Sequence, residues 1–165
     1  MVGLLYNSCI FKSNPYRGVM SYRNQKVYIQ GGGFYKVGKL PQGWERMHAS
    51  SKAISFYNKS YDSSITTDVF CGREFSDRPL EVLAGEFASA LANKKVIFTD
   101  NIMLSERGAL RLSVSGKMDG VDVGMDIVVV KRNGCNFDFV AVTPLNYADN
   151  VKDEFEVFFG EFQYQ

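Results

Sequence analysis

The sequence predicts an α+β fold, a layered sandwich with a mainly antiparallel sheet and two packing helices. Three observations predict it. Asp119-Gly120 and Asn133-Gly134 each sit between hydrophobic runs, and both dipeptides accept the positive φ angles of a two-residue type I′ hairpin, so Ala109 to Thr143 reads as a β-meander. Upstream, apolar residues recur with period two across Ile54 to Val69, the mark of strands with one buried face. Two further segments, one before the meander and one at the C-terminal end, repeat apolar residues at helical spacing.

With 165 residues, 45% of them hydrophobic, the chain suits one domain with a real core. Charge nearly cancels, and the total does not suggest a nucleic-acid partner. Its distribution is uneven: the segment up to Arg46 holds seven of the 19 Lys and Arg residues but only one of the 18 Asp and Glu residues, Glu45. A basic arm therefore precedes a mildly acidic body, and such an arm suits either an anionic membrane surface or plain solubilisation.

Residues 1–33 read as this basic arm or tether. The apolar run Val2 to Tyr6 lacks the basic start and the roughly 7–15 apolar residues of a complete secretory signal. A small residue, Ser8, directly before Cys9 and after a Leu-Leu pair nevertheless matches the tail of a truncated bacterial lipoprotein signal, with Tyr6 and Asn7 departing from the usual pattern. No stretch approaches the roughly 20 apolar residues needed to span a bilayer. Phe11 to Gly33 is rich in Asn, Ser, Gly, Arg and Tyr, which predicts loose order with at most a short strand at Val27–Ile29. Gly31-Gly32-Gly33 is no phosphate loop, because no strand–turn–helix frame surrounds it and Lys36 stands where a dinucleotide fingerprint needs glycine.

Residues 34–165 read as a single α+β domain. Phe34 to Val37 is a short strand, stopped by Pro41-Gln42-Gly43, and Trp44 is the first large core candidate. Ile54 and Phe56, then Ile65, Thr67 and Val69, mark two strands turned by the polar Asn58 to Ser63. Asp77 is placed to cap a helix over Pro79 to Asn93, whose stripe is Leu80, Leu83, Ala84, Phe87 and Leu91, with Gly85 a weak point. Val96 to Leu104 returns to strand, Glu106-Arg107-Gly108 turns the chain, and the meander follows as a four-stranded unit. Val128 and Val130 are apolar opposite the Val121 to Val129 stripe, so its central strand is covered on both faces. Asn150 is placed to cap the last helix, whose stripe is Val151, Phe155, Phe158, Phe159 and Phe162.

Gly38 to Trp44, Ile65 to Gly72, Leu110 to Met118, the turn to Cys135 and the Phe-rich terminal helix together resemble a group of small bacterial envelope lipoproteins. That group is similar in architecture to the PsbP-like fold, shared by an extrinsic photosystem II subunit and a Ran-binding nuclear import factor. The resemblance covers roughly Gly33 to the C-terminus, and its motifs are structural. It implies a PsbP-like fold, non-enzymatic binding or assembly work, a lipidated Cys9, and a membrane-tethered place facing the periplasm rather than the cytoplasm. The expected partner is a protein or a membrane surface, with no nucleic acid, no cofactor and no metal.

Candidate chemistry is sparse. His48 is the single histidine, which removes multi-histidine metal sites and leaves one imidazole base for a small hydrolase. The three cysteines show no CxxC spacing. Cys71 ends one strand and Cys135 begins another, so a bridge closing 64 residues and a pair of buried thiols are both open readings. Asp119, Asp122 and Asp126 form an acidic cluster without the glycine-centred loop or closing glutamate of a calcium site. Tyr16, Tyr22 and Tyr28, interleaved with Arg17, Arg23 and Lys26, suit partner docking better than single-stranded nucleic acid. A carrier for an apolar ligand needs a cavity beneath the Phe155–Phe162 stripe.

Overall fold

A computed structural model describes residues 18–48 and 52–165. In chain order the strands are β1 (Val19–Arg23), β2 (Lys26–Ile29), β3 (Phe34–Lys36), β4 (Trp44–Met47), β5 (Ile54–Asn58) and β6 (Ser63–Cys71). Then come a one-turn helix α1 (Arg73–Ser76), helix α2 (Leu80–Ala88) and the four long strands β7 (Ala92–Leu104), β8 (Arg107–Met118), β9 (Val121–Arg132) and β10 (Cys135–Pro144). Helix α3 (Ala148–Gly160) and a short β11 (Gln163–Tyr164) complete the fold.

Two antiparallel sheets result. The larger has the order β4-β5-β6-β10-β9-β8-β7, and the smaller β1-β2-β3-β11. The predicted meander is present as β7 to β10, joined by turns at Asp119-Gly120 (φ 50° and 83°) and Asn133-Gly134 (φ 53° and 74°). Positive φ at both central residues is what a type I′ turn requires.

The central strands of the large sheet are buried on both faces. On one lies α2, whose Leu83, Ala84 and Ala88 pack on Leu112, Val114, Met125, Ile127 and Val129. On the other lie α3 and the small sheet, where Tyr35, Phe155, Phe158 and Phe162 meet Ile65, Val69, Val128, Val130, Phe137 and Phe139. Val128 and Val130 thus serve one core and Ile127 and Val129 the other, as a strand covered on both sides demands. Tyr35 ties the layers together through a buried hydrogen bond between its hydroxyl and Thr67 Oγ1 at 3.0 Å.

Several expectations need correction. Residues 18–33 are not a loose arm: β1 and β2 form a hairpin whose Val19, Val27 and Ile29 are buried in the main core. Its polar composition reflects two closely spaced turns, at Asn24-Gln25 and Gly31-Gly32-Gly33, all with positive φ. Since only alternate strand residues face inward, three aliphatic side chains suffice. The small sheet as a whole was not legible beforehand.

Helix α2 ends at Ala88, short of the expected Asn93. Its last turns tighten through bonds from Ala90 N–H to the Phe87 carbonyl and Leu91 N–H to the Ala88 carbonyl, and Leu91 fills its core place from the turn. Neither proposed cap acts: Pro79 precedes α2, Asp77 instead ends α1, and Tyr147 precedes α3 with Asn150 already inside the helix. The turn into β8 is Ser105-Glu106, with φ of 49° and 63°, one residue earlier than Glu106-Arg107-Gly108 suggested.

Candidate functional site

A candidate ligand groove follows from how side-chain size tapers along the meander. On the face that α3 covers, sheet register aligns Ala109, Val130 and Phe137 in one row, then Arg111, Val128 and Phe139 in the next. Two rows on, the residues shrink to Ser113, Asp126 and Ala141, then Ser115, Gly124 and Thr143. The bulky rows fill the space beneath Phe158 and Phe162, while the small rows leave a groove of about 420 Å³ under the start of α3. Phe98, Leu145 and Phe155 give it apolar walls. A Cβ at Gly124 would meet Leu145 Cδ2 at 3.6 Å, an ordinary van der Waals contact.

Arg111 anchors the floor of this groove. Its Nη2 donates to Asp126 Oδ2 at 2.6 Å, its Nε to Asp126 Oδ1 at 3.1 Å, and its Nη1 to Glu156 Oε1 at 2.7 Å. The guanidinium lies 5.4 Å from the ring centres of both Phe98 and Phe159, so it is stacked as well as paired. Burial opposes its charge, but the bonds from Asp126 and Glu156 outweigh that and raise its pKa. Burial also pushes Asp126 up, with Arg111 pulling it back. These two shifts favour opposite states of the pair, and the bidentate contact favours the ionised one. The trio carries one net negative charge, with Lys152 among the groove's other lining residues.

The aromatic stripe of α3 is chiefly core. Phe155, Phe158, Phe159 and Phe162 are all buried, and only Phe155 lines the groove. The groove lies beside the stripe's first phenylalanine, not beneath Phe155–Phe162 as the carrier reading requires.

The remaining candidates separate. Cys71 and Cys135 are register partners on β6 and β10, bonded with S–S 2.05 Å, so the bridge rather than the pair of buried thiols is found. His48 is exposed just after β4 and lines a polar groove with Arg46 and Lys52, whose described lining holds no carboxylate or thiol. Asp119 serves its turn, Asp122 pairs with Lys117 at 2.9 Å, and Asp126 pairs with Arg111. Among the described residues no group of three or more His, Cys, Asp or Glu is placed to hold a metal ion. Tyr22 packs edge-on to Phe56 with Arg46 5.3 Å from its ring, and Arg23 lies 5.9 Å from Tyr28. Cys9 and Tyr16 lie outside the described residues. No helix among those residues is long and apolar enough to cross a membrane.

The Arg111 trio was missed from sequence. Its signal is a single basic residue inside the apolar alternation of Leu110 to Val114, which asks for a buried counter-charge. The partner Asp126 sits one row diagonal to it, which only the register reveals.

No protein-family model and no curated protein matches the chain. Solved structures do. LpqN of Mycobacterium tuberculosis, described as involved in cell envelope biogenesis, aligns over 85% of this chain and 89% of its own at TM-score 0.57 and 15% identity. Cyanobacterial PsbP (CyanoP) from Synechocystis sp. PCC 6803 aligns over 97% of this chain and 99% of its own at TM-score 0.59 and 11% identity. Likeness at such identity concerns the fold. With its antiparallel sheets, C-terminal helix and these structural neighbours, the chain has the PsbP-like fold.

Proposed function

We propose that this protein is a non-enzymatic, envelope-associated binding or assembly domain whose ligand seat is the groove under α3. One observation carries the reading: the taper from Phe137 and Val130 down to Ser115, Gly124 and Thr143, which opens an apolar recess beside the Arg111–Asp126–Glu156 ion trio. A recess of about 420 Å³ falls within the roughly 300–1,000 Å³ usual for small-molecule sites. Apolar walls next to Arg111, Asp126 and Lys152 suit an amphiphile, with its tail against Phe98 and Phe155 and its polar end toward the charges. The likeness of fold to LpqN supports an envelope setting, and Cys9 through residues 10–17 supplies a tether.

The test fills the groove. Dodecyl maltoside below its micellar concentration is titrated into the wild type and into Gly124→Leu, with folding checked by circular dichroism. Saturable binding that Gly124→Leu reduces by about tenfold or more supports the seat; equal binding by both proteins would refute it. For the tether, the gene is expressed with its native upstream codons, and membrane partition should be lost in Cys9→Ala. A soluble cytoplasmic product would overturn the localisation.

A further inference from the structure

A second cavity, of about 270 Å³, lies on the opposite face of the large sheet beside α1 and α2. Phe70, Phe75 and Phe87 wall it, and Asn136 and Asp138 of β10 lie at its floor. Phe70 and Phe75 are neighbours, with ring centres 5.2 Å apart. The chemistry of the floor is one-sided. Asn136 Nδ2 donates to Asp138 Oδ1 at 2.6 Å, which leaves Asn136 Oδ1 a buried acceptor with no donor, in a residue only 1% exposed. Asp138 is 3% exposed, and its cross-strand partner on β6 is another carboxylate, Asp68.

The basic groups nearby are engaged elsewhere. Arg78 donates to Glu86 at the rim, and Lys131 of β9 donates to the Arg78 carbonyl. The cavity therefore offers acceptors and negative charge within aromatic walls, a combination that recognises a cation bearing several N–H donors. We propose that this cavity binds a small primary ammonium carried on an apolar body, with Asp138 and Asn136 Oδ1 accepting its N–H groups and the phenyl rings of Phe70, Phe75 and Phe87 enclosing its body.

A bare metal ion fits less well, because three phenyl rings leave few oxygen donors around it. The site is independent of the groove under α3, from which the sheet separates it. Burial holds the Asp138 carboxyl up at about 7, with Asp68 and Glu86 adding to the rise and Asn136 opposing it. A bound cation favours the ionised carboxylate, so the ammonium and a proton compete.

The experiment titrates phenethylammonium chloride, and separately its neutral isostere 2-phenylethanol, into the full chain by calorimetry at about pH 8 and about pH 5. Expected is saturable binding of the ammonium at the higher pH, weakened about tenfold or more at the lower one, with the alcohol at least about tenfold weaker throughout. Asp138→Asn should weaken the ammonium by a similar factor. Phe75→Ala, on the one-turn α1, gives a second variant should Asp138→Asn fail to fold, and it should weaken the ammonium too. Absence of saturation up to about 10 mM, or equal affinity for ammonium and alcohol, would overturn the proposal.

Discussion

Arg111 on β8 donates to Glu156 on α3 at 2.7 Å, so one guanidinium fastens the covering helix to the sheet while also holding Asp126 on the neighbouring strand. The two contacts differ in worth. Arg111 and Asp126 are 11% and 18% exposed in their side chains, whereas Glu156 is 42% exposed. Removing Arg111 strands a part-buried carboxylate, and Arg111→Ala should lower unfolding stability by roughly 2–3 kcal/mol. Glu156→Gln should cost at most about 1 kcal/mol. Urea melts of both variants and of Arg111→Ala/Asp126→Ala check this, the double variant recovering part of the loss.

Two glycines should respond to alanine with opposite signs. A Cβ at Gly38 would lie 2.1 Å from the Val157 carbonyl oxygen, because this segment crosses α3 closely and its N–H donates to the Phe158 carbonyl at 2.8 Å. Backbone must move, and Gly38→Ala should cost about 1–3 kcal/mol or more. At Gly85, inside α2, an added Cβ meets nothing within 4 Å. Gly85→Ala should therefore stabilise by about 0.5–1 kcal/mol through helix propensity and lower entropy of the unfolded chain. Thermal melts of the pair decide both.

The Cys71–Cys135 bridge closes a separation of 64 residues, for which the chain-entropy model predicts about 4 kcal/mol. Cys71→Ser/Cys135→Ser should lose a comparable amount in denaturant melts. In denatured protein, thiol titration should find two more thiols after reduction than before it.

Acid should help this protein before it harms it. Burial raises Asp138 to about 7 and Asp68 to about 6, against an ordinary 3.8. Between those values the native state keeps protons that the unfolded chain releases, so these groups' contribution falls as pH rises from about 4 to about 7. For Asp138 the fall is on the order of 4 kcal/mol. Glu86, lowered by its hydrogen bond with Arg78, works in the opposite sense at the surface. Subtracting the urea-melt profile of Asp138→Asn from that of the wild type isolates the Asp138 contribution, which should have the stated sign.

The meander was legible because its evidence is local: Asp119-Gly120 and Asn133-Gly134 set the turns, and period-two alternation set the faces. The small sheet was not, since β3 joins β11 through residues more than a hundred positions apart, pairing Tyr35 with Tyr164. Helix ends were misjudged where Asp77 and Asn150 looked like caps but tertiary packing placed the first turns elsewhere. The groove under α3 depends on which small residues align across three strands. Ser115, Gly124 and Thr143 are unremarkable individually, and become a site only in register.

The position of β10 also sets an order of assembly. Within the large sheet, β4-β5-β6 and β7-β8-β9-β10 each join sequence neighbours, so both blocks form from short-range contacts. The β6–β10 seam alone brings together distant parts of the chain, Cys71 with Cys135, and closing so long a loop is slow relative to hairpin formation. The two blocks are expected to zip first and meet along that seam. The Cys71–Cys135 bridge formed during oxidative refolding then marks those molecules in which two half-sheets have become one.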